Sequence, residues 1–202
     1  AGEGGMVTTN SHVLFDAMWS FKDHGKTREA VFEHEHPPGF RWLHERFGSN
    51  LRLTEMQSAI GLIQLQRMQE WNRLRTRNAQ RLIDALADCS AIRVPLLPAH
   101  LRNAWYKFHC FVRPESLAEG WSRDRIASEI RALGYPALQG SCSEIYLEKS
   151  FQDAGFAPLQ RLPIARELGE TSLMFLVHPT ITEQQIDNYA EAIRSIAMQA
   201  IR

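Results

Sequence analysis

The stretch TEMQSAIGLIQLQRMQEWNRLRTRNAQRLIDALAD, residues 54–88, sets the strongest limit on what this chain can fold into. Thr54 and Gln57 have the S/T-x-x-E/Q spacing, in which each side chain satisfies the other's free backbone donor, so a helix starts here. No proline interrupts it before Pro95. At 1.5 Å per residue an unbroken helix to about Asp88 is roughly 50 Å long. Its first half is apolar on more than one side, through Met56, Ala59, Ile60, Leu62, Ile63 and Leu65, and is expected to be buried. Its second half carries Arg73, Arg75, Arg77 and Arg81 and needs a wet face. The chain therefore reads as three parts: 1–53, the helix 54–94, and 95–202.

Before the helix, Gly5 to Thr9 reads as a short strand of small and β-branched residues. Asn10 and Ser11 are good N-cap types, and Val13, Leu14, Ala17, Met18 and Phe21 follow at helical spacing. His24-Gly25 ends that run as a cation and a C-terminal glycine. Residues 26–49, with Pro37-Pro38-Gly39, have weak periodicity and read as a long loop, a kind of segment that often carries function.

After Pro95 and Pro98, AWYKFHCFV alternates with period 2 and places Tyr106, Phe108, Cys110 and Val112 on one face of a strand. Ser122 caps a helix bearing Ile126, Ile130 and Leu133, which Gly134 stops. PALQGSC and SLMFLVHP read as two further strands. Thr182 and Gln185 repeat the capping pattern ahead of a last helix with the stripe Ile186, Tyr189, Ile193 and Ile196. The order is strand, helix, strand, helix, strand, helix.

Lys+Arg and Asp+Glu both number 23. A zero balance argues against nucleic acid as a partner, because displacing counterions needs surplus cations. No apolar run reaches the roughly 18 residues that span a bilayer, so no membrane partner is expected. Neither a starting methionine nor a charged-then-apolar leader is present. Cys89, Cys110 and Cys142 are few, odd in number and far apart, which fits reduced thiols in a cytoplasmic protein.

Three stretches offer chemistry. Gly2-Glu3-Gly4-Gly5 can turn backbone N–H groups toward an anion, or can simply be a glycine turn. It is neither a P-loop nor a GxGxxG fingerprint. His34, His36 and His44, with Glu35, are zinc-ligand types, but their spacing matches no familiar site and Pro37-Pro38 makes the segment extended. Asn50 and Arg52 stand just ahead of the capped helix. There an amide, a guanidinium and the positive helix end would all favour a phosphate, unless they are only a turn-forming Asn and a surface Arg.

Taken together, GEGGMVTTN, the His24-Gly25 pair, GSNLRLTEMQSAIGLIQLQRM, RALGY and LPIARELGETSLMFLVHPTITEQQIDNYAEAI resemble, in their order, the DegT/DnrJ/EryC1/StrS nucleotide-sugar aminotransferases. The resemblance covers essentially the whole chain. It implies the C-terminal part of a fold-type I pyridoxal-phosphate-dependent transferase. That part comprises the end of the large cofactor domain and an inter-subunit loop (1–53), a linking helix (54–94), and a small α/β domain with a short, mostly antiparallel sheet (95–202). It implies pyridoxal 5'-phosphate as cofactor, amino transfer from an amino acid such as glutamate to a keto nucleotide-sugar, and a cytoplasmic homodimer with shared active sites. In such relatives the Schiff-base lysine lies a few residues before GEGG. The only lysines here are Lys22, Lys26, Lys107 and Lys149, none in the matching segment, so no catalytic residue is assigned and a cofactor-binding domain is expected upstream.

By the same resemblance Asn50 and Arg52 contact the cofactor phosphate of the neighbouring subunit, and Gly4 and Gly5 shape the turn beside the lysine. Tyr146 and Ser141 are candidates for contact with the sugar. Synthesis of cell-surface polysaccharide, lipopolysaccharide included, is the expected setting. The absent lysine leaves a second expectation open, a non-catalytic nucleotide-sugar binding or interaction protein. Either way, exposed apolar surface and self-association are expected.

Overall fold

The computed structural model describes residues 1–202 except Phe40, Leu96 and Ser141. It divides into two compact units, Ala1–Arg67 and Met68–Arg202.

In the first unit, α1 (His12–Lys22) begins where expected: the Ser11 side chain accepts from the Leu14 N–H. The helix stops at Lys22, and Asp23 is its C-cap. His24 then takes φ 60° and Gly25 φ 85°, and the Gly25 N–H returns to the Ser20 carbonyl at 2.8 Å, a Schellman-type closure. The stretch 26–49 is not all loop. Thr27 caps a short helix, α2 (Arg28–Phe32), its hydroxyl accepting from the Ala30 N–H at 3.2 Å. Gly5–Thr9 forms no strand: no described residue pairs with it, and Met6 and Val7 lie exposed, so the β-prone composition has no ladder to join.

α3 (Glu55–Leu86) contributes its first turns to the first unit and the rest to the second. The Thr54–Gln57 box forms, with Thr54 N–H donating to Gln57 Oε1 at 3.2 Å and Gln57 N–H to Thr54 Oγ1 at 3.3 Å. Its first half is not buried by this chain: Met56, Ile60, Leu62, Ile63 and Leu65 are all exposed, which is the exposed apolar surface expected from the sequence. The apolar faces there find no cover among the described residues.

The second unit holds the core. Its sheet joins β1 (Ile92–Arg93), β2 (Phe108–Val112), β4 (Ser172–Phe175) and β3 (Leu138–Gln139) in that spatial order, every pair antiparallel. Phe108 faces Phe175 and Cys110 faces Leu173, so one side of the central pair is wholly apolar. Against it pack Ile126 and Ile130 of α4 (Arg123–Ala132), Ile186, Tyr189, Ile193 and Ile196 of α7 (Glu183–Gln199), and Ala79, Leu82 and Leu86 of α3. The α7 stripe and the Thr182–Gln185 capping box are as the periodicity predicts. Tyr106, placed on the same strand face as Phe108, and Leu133, placed on the helix with Ile126 and Ile130, are both exposed. Leu133 is only the C-cap of α4, and Trp105, at φ 49°, turns the chain so that β2 starts at Phe108. α5 (Lys149–Asp153) and α6 (Pro163–Thr171) complete the unit, α6 starting on a proline whose missing N–H is no loss at a first turn.

The arginine run on α3 is balanced, as a solvated helix face should be. Arg73 pairs with Glu70, Arg77 with Glu183, and Arg81 with Asp187. Asn78, fully buried, ties the helix to the β4–α7 connection: its amide donates to the His178 carbonyl at 3.0 Å while its oxygen accepts from Arg77. No described helix is long and apolar enough to cross a membrane.

Candidate functional site

Asn50 and Arg52 sit on a turn that the backbone pins in place. His24 N–H donates to Ser49 O at 3.0 Å, Ser49 N–H to Phe21 O at 2.7 Å, and Leu51 N–H to Lys22 O at 2.9 Å. The Glu45 and Arg46 N–H groups both reach Gly25 O at 3.1 Å, and Thr27 Oγ1 donates to Glu45 Oε2 at 2.7 Å. Asn50 bridges Asp23 and His44 bridges Lys26. The turn 44–52 is thus laced to the C-terminal end of α1.

This lacing requires two glycines. A Cβ on Gly25 would lie 1.7 Å from Arg46 O, and one on Gly48 would lie 2.3 Å from Gly25 N. Both clashes are with backbone, which no rotamer change relieves.

The electrostatics favour an anion. Asn50 is exposed, and its side-chain amide has no partner among the described residues. The Arg52 side chain is half exposed, with Nε 3.5 Å from Asp23 Oδ1. Lys26 Nζ approaches the same oxygen at 3.5 Å. Two cations on one carboxylate leave a net positive site, two residues ahead of the positive end of α3. An amide and a guanidinium fork are the donors a phosphate monoester takes, so the residues present fit the phosphate of a pyridoxal cofactor.

Of the two glycines assigned to the same site, Gly4 lies against Leu53, where an added Cβ would be 3.2 Å from Leu53 Cδ2. Gln57 Nε2 donates to Ala1 O at 3.1 Å, so the N-terminal stretch runs beside the start of α3. Gly5 faces open space. The structure brings Gly4 against Leu53, the residue after Arg52, and no described residue would meet a Cβ at position 5.

Tyr146 belongs to the second unit, and Ser141 lies outside the described residues. Tyr146 is buried, with its hydroxyl used twice: it donates to Glu144 Oε1 at 2.6 Å and accepts from the Leu162 N–H at 2.9 Å. Arg161 grips Glu144 through both carboxylate oxygens and also reaches Glu170 at 3.2 Å. The Arg161 guanidinium, helped by the Tyr146 hydroxyl, holds the Glu144 carboxyl down at about 2. Because the folded value is depressed, this joint contributes its full stability above the ordinary 4.5 and loses it as pH falls toward about 2. Protection of the Leu162 amide, relative to the unstructured amide at the same pH, is expected to fall across that interval in the wild type, and Glu144→Gln is expected to leave that protection low and independent of pH.

Among the described residues no three of His, Cys, Asp and Glu are placed to share a metal ion. His34 lies 3.1 Å from Glu29, and His36 Nδ1 is 3.2 Å from its neighbour's carbonyl, so the zinc reading of this loop has no geometry behind it. Cys89 and Cys110 are buried, with burial pushing both thiols up; Cys142 is exposed.

The sequence profile of the DegT/DnrJ/EryC1/StrS aminotransferase family matches residues 1–194. The chain belongs to this family. The crystal structure of the aminotransferase from Psychrobacter cryohalolentis is 49% identical, with a TM-score of 0.89 over 96% of this chain and 51% of that one. The dTDP-3-amino-3,4,6-trideoxy-alpha-D-glucose transaminase of Streptomyces venezuelae is 26% identical over 197 residues, 97% of this chain and 46% of its own length. The dTDP-4-dehydro-2,6-dideoxy-D-glucose 3-dehydratase of Saccharopolyspora spinosa is also 26% identical, over 210 residues, 96% of this chain and 44% of its own length. This family member spans about half the length of the relatives it matches. Its fold is the C-terminal part of a fold-type I pyridoxal-phosphate-dependent transferase, the long helix followed by the small antiparallel α/β unit.

Sequence reasoning found Asn50 and Arg52, with Gly48 in the same stretch GSNLR, but missed Asp23 and the backbone crossing of Gly48 on Gly25.

Proposed function

We propose that this chain is the C-terminal half of a pyridoxal-phosphate-dependent enzyme. The enzyme moves an amino group from an amino acid, glutamate in the first instance, to a keto group on a nucleotide-linked sugar. Its setting is amino-sugar or cell-surface polysaccharide synthesis, lipopolysaccharide included, in a cytoplasmic homodimer. In that reading residues 1–53 finish the cofactor domain, 54–94 link it, and 95–202 form the small domain. The observation that carries the reading is the laced turn presenting Asn50 and Arg52 in a chain whose relatives include transaminases.

When bound, the cofactor supplies a conjugated ring that draws electrons from the amino-bearing carbon. The roles of this chain's own residues are binding and orientation. Asn50 and Arg52 hold the phosphate of the neighbouring subunit's cofactor, and Gly4 and Gly5 shape the turn beside the Schiff-base lysine of the complete enzyme. None of Lys22, Lys26, Lys107 and Lys149 carries the cofactor covalently. Tyr146 and Ser141 belong to the part that meets the sugar, Tyr146 as a buried post whose hydroxyl fixes Glu144 and the 162 backbone.

The test is turnover of the complete enzyme with glutamate and a panel of keto nucleotide-sugars. An amino sugar and 2-oxoglutarate formed in equal amounts are expected. Loss of water from the sugar with no amine gained would overturn the reading, as would a pyridoxyl group mapped by borohydride reduction to one of the four lysines named here.

A further inference from the structure

We infer that Asp23 is a positioning residue: it fixes the Arg52 guanidinium beside Asn50, so that the terminal nitrogens of Arg52 face the anion. The inference rests on the cofactor-phosphate reading of this site and names what holds that site in shape.

Three observations converge on Asp23. It is buried, with a side chain only 10% exposed, yet it is a carboxylate standing at the C-cap of α1. That is the negative end of a helix, where an acid is disfavoured. Its place is therefore not explained by the helix it terminates. Its Oδ1 forms an ion pair with Arg52, whose nearest nitrogen is the inner one, Nε, at 3.5 Å. The ion pair brings the inner nitrogen of the guanidinium to the carboxylate, while the Arg52 side chain stays half exposed and open to a ligand. The backbone repeats the arrangement: Asp23 bridges Asn50, and Leu51 N–H bonds Lys22 O at 2.9 Å, so the two anion donors and their holder share one rigid joint. Arginine carries large rotamer freedom, and a fork already oriented loses less of it on binding. Lys26, on the same oxygen at 3.5 Å, keeps the carboxylate compensated, so Asp23 does not simply neutralise Arg52.

The experiment uses the complete enzyme and measures Kd for pyridoxal phosphate and for pyridoxal on the same preparation. Their ratio reads the phosphate contact alone, and a lowered folded fraction affects both values alike. Arg52→Ala is expected to reduce the preference for the phosphorylated form roughly tenfold. Asp23→Asn, nearly the same shape without the charge, is expected to reduce it about three- to tenfold with pyridoxal affinity unchanged, and to have no further effect in the Arg52→Ala background. Asp23→Glu, which keeps the charge, is expected to retain most of the preference.

A merely structural Asp23 would weaken both ligands equally or act undiminished in the Arg52→Ala background, and either result overturns the inference while leaving the phosphate site standing. A preference unchanged by Arg52→Ala overturns the role of Arg52 in that site, and this inference with it.

Discussion

Gly48→Ala is expected to dislodge the turn carrying Asn50 and Arg52, at a cost on the order of 3 kcal/mol in local stability. The added methyl would meet Gly25 N at 2.3 Å, His24 C at 2.8 Å and Phe21 O at 2.8 Å. All three are main-chain atoms, so relief needs movement of the backbone itself. The bonds from Ser49 N–H to Phe21 O and from His24 N–H to Ser49 O span that contact and would be lost with it. Gly25→Ala strikes the same crossing from the other side, with a left-handed φ of 85° added to a 1.7 Å approach to Arg46 O. Gly5→Ala, where an added methyl meets open space, is the control and should stay within about 0.5 kcal/mol. Hydrogen exchange at the Ser49 and Leu51 amides reads the effect: fast in both crossing variants and unchanged in the control. Protection retained in Gly48→Ala would show that the crossing is looser than described.

Leu82→Ala is expected to destabilise the second unit by about 2–5 kcal/mol. Leu82 is completely buried, in the same cluster as Phe108 and Ile193. Removing three carbons there leaves a cavity bounded by two helices and a sheet, which cannot collapse far. Leu65→Ala, on the same helix but at a residue 65% exposed, should change the stability of this chain by less than about 0.5 kcal/mol. Denaturant unfolding followed by exchange at the β2 amides separates the two. Equal effects would mean that the core extends further along α3 than the structure shows.

The contrast between these leucines also marks what the sequence could reveal. The capped helices were legible because their signals are local: Thr54 with Gln57, Thr182 with Gln185, and Ser11 and Ser122 before apolar runs. The α7 stripe told its own burial because one helix face meets one core. The first half of α3 did not, since apolar composition says that cover is wanted, not that this chain supplies it. Gly5–Thr9 failed for a related reason: a strand needs a partner, and its residues cannot announce whether one exists. α2 and α5, five residues each, are too short to show a period.

At the site, Asn50 and Arg52 were legible as donors ahead of a capped helix. The part played by Asp23 and the contact of Gly48 with Gly25 were not, because they are made across some 25 residues of chain, where only the folded crossing brings Gly48 onto Gly25. Tyr146 was legible as an aromatic in the right segment, but its double use by Glu144 and the Leu162 amide depends on partners the linear order does not reveal.

The central claim is that the 44–52 turn exists to hold a phosphate, and Asn50→Ala tests it most directly. Asn50 has no structural partner for its amide among the described residues, so its removal should leave the fold intact. Titration of the complete enzyme should show pyridoxal phosphate bound roughly tenfold more weakly and pyridoxal bound as before. If the two ligands weaken together, or neither weakens, Asn50 does not touch the phosphate and the turn has another purpose.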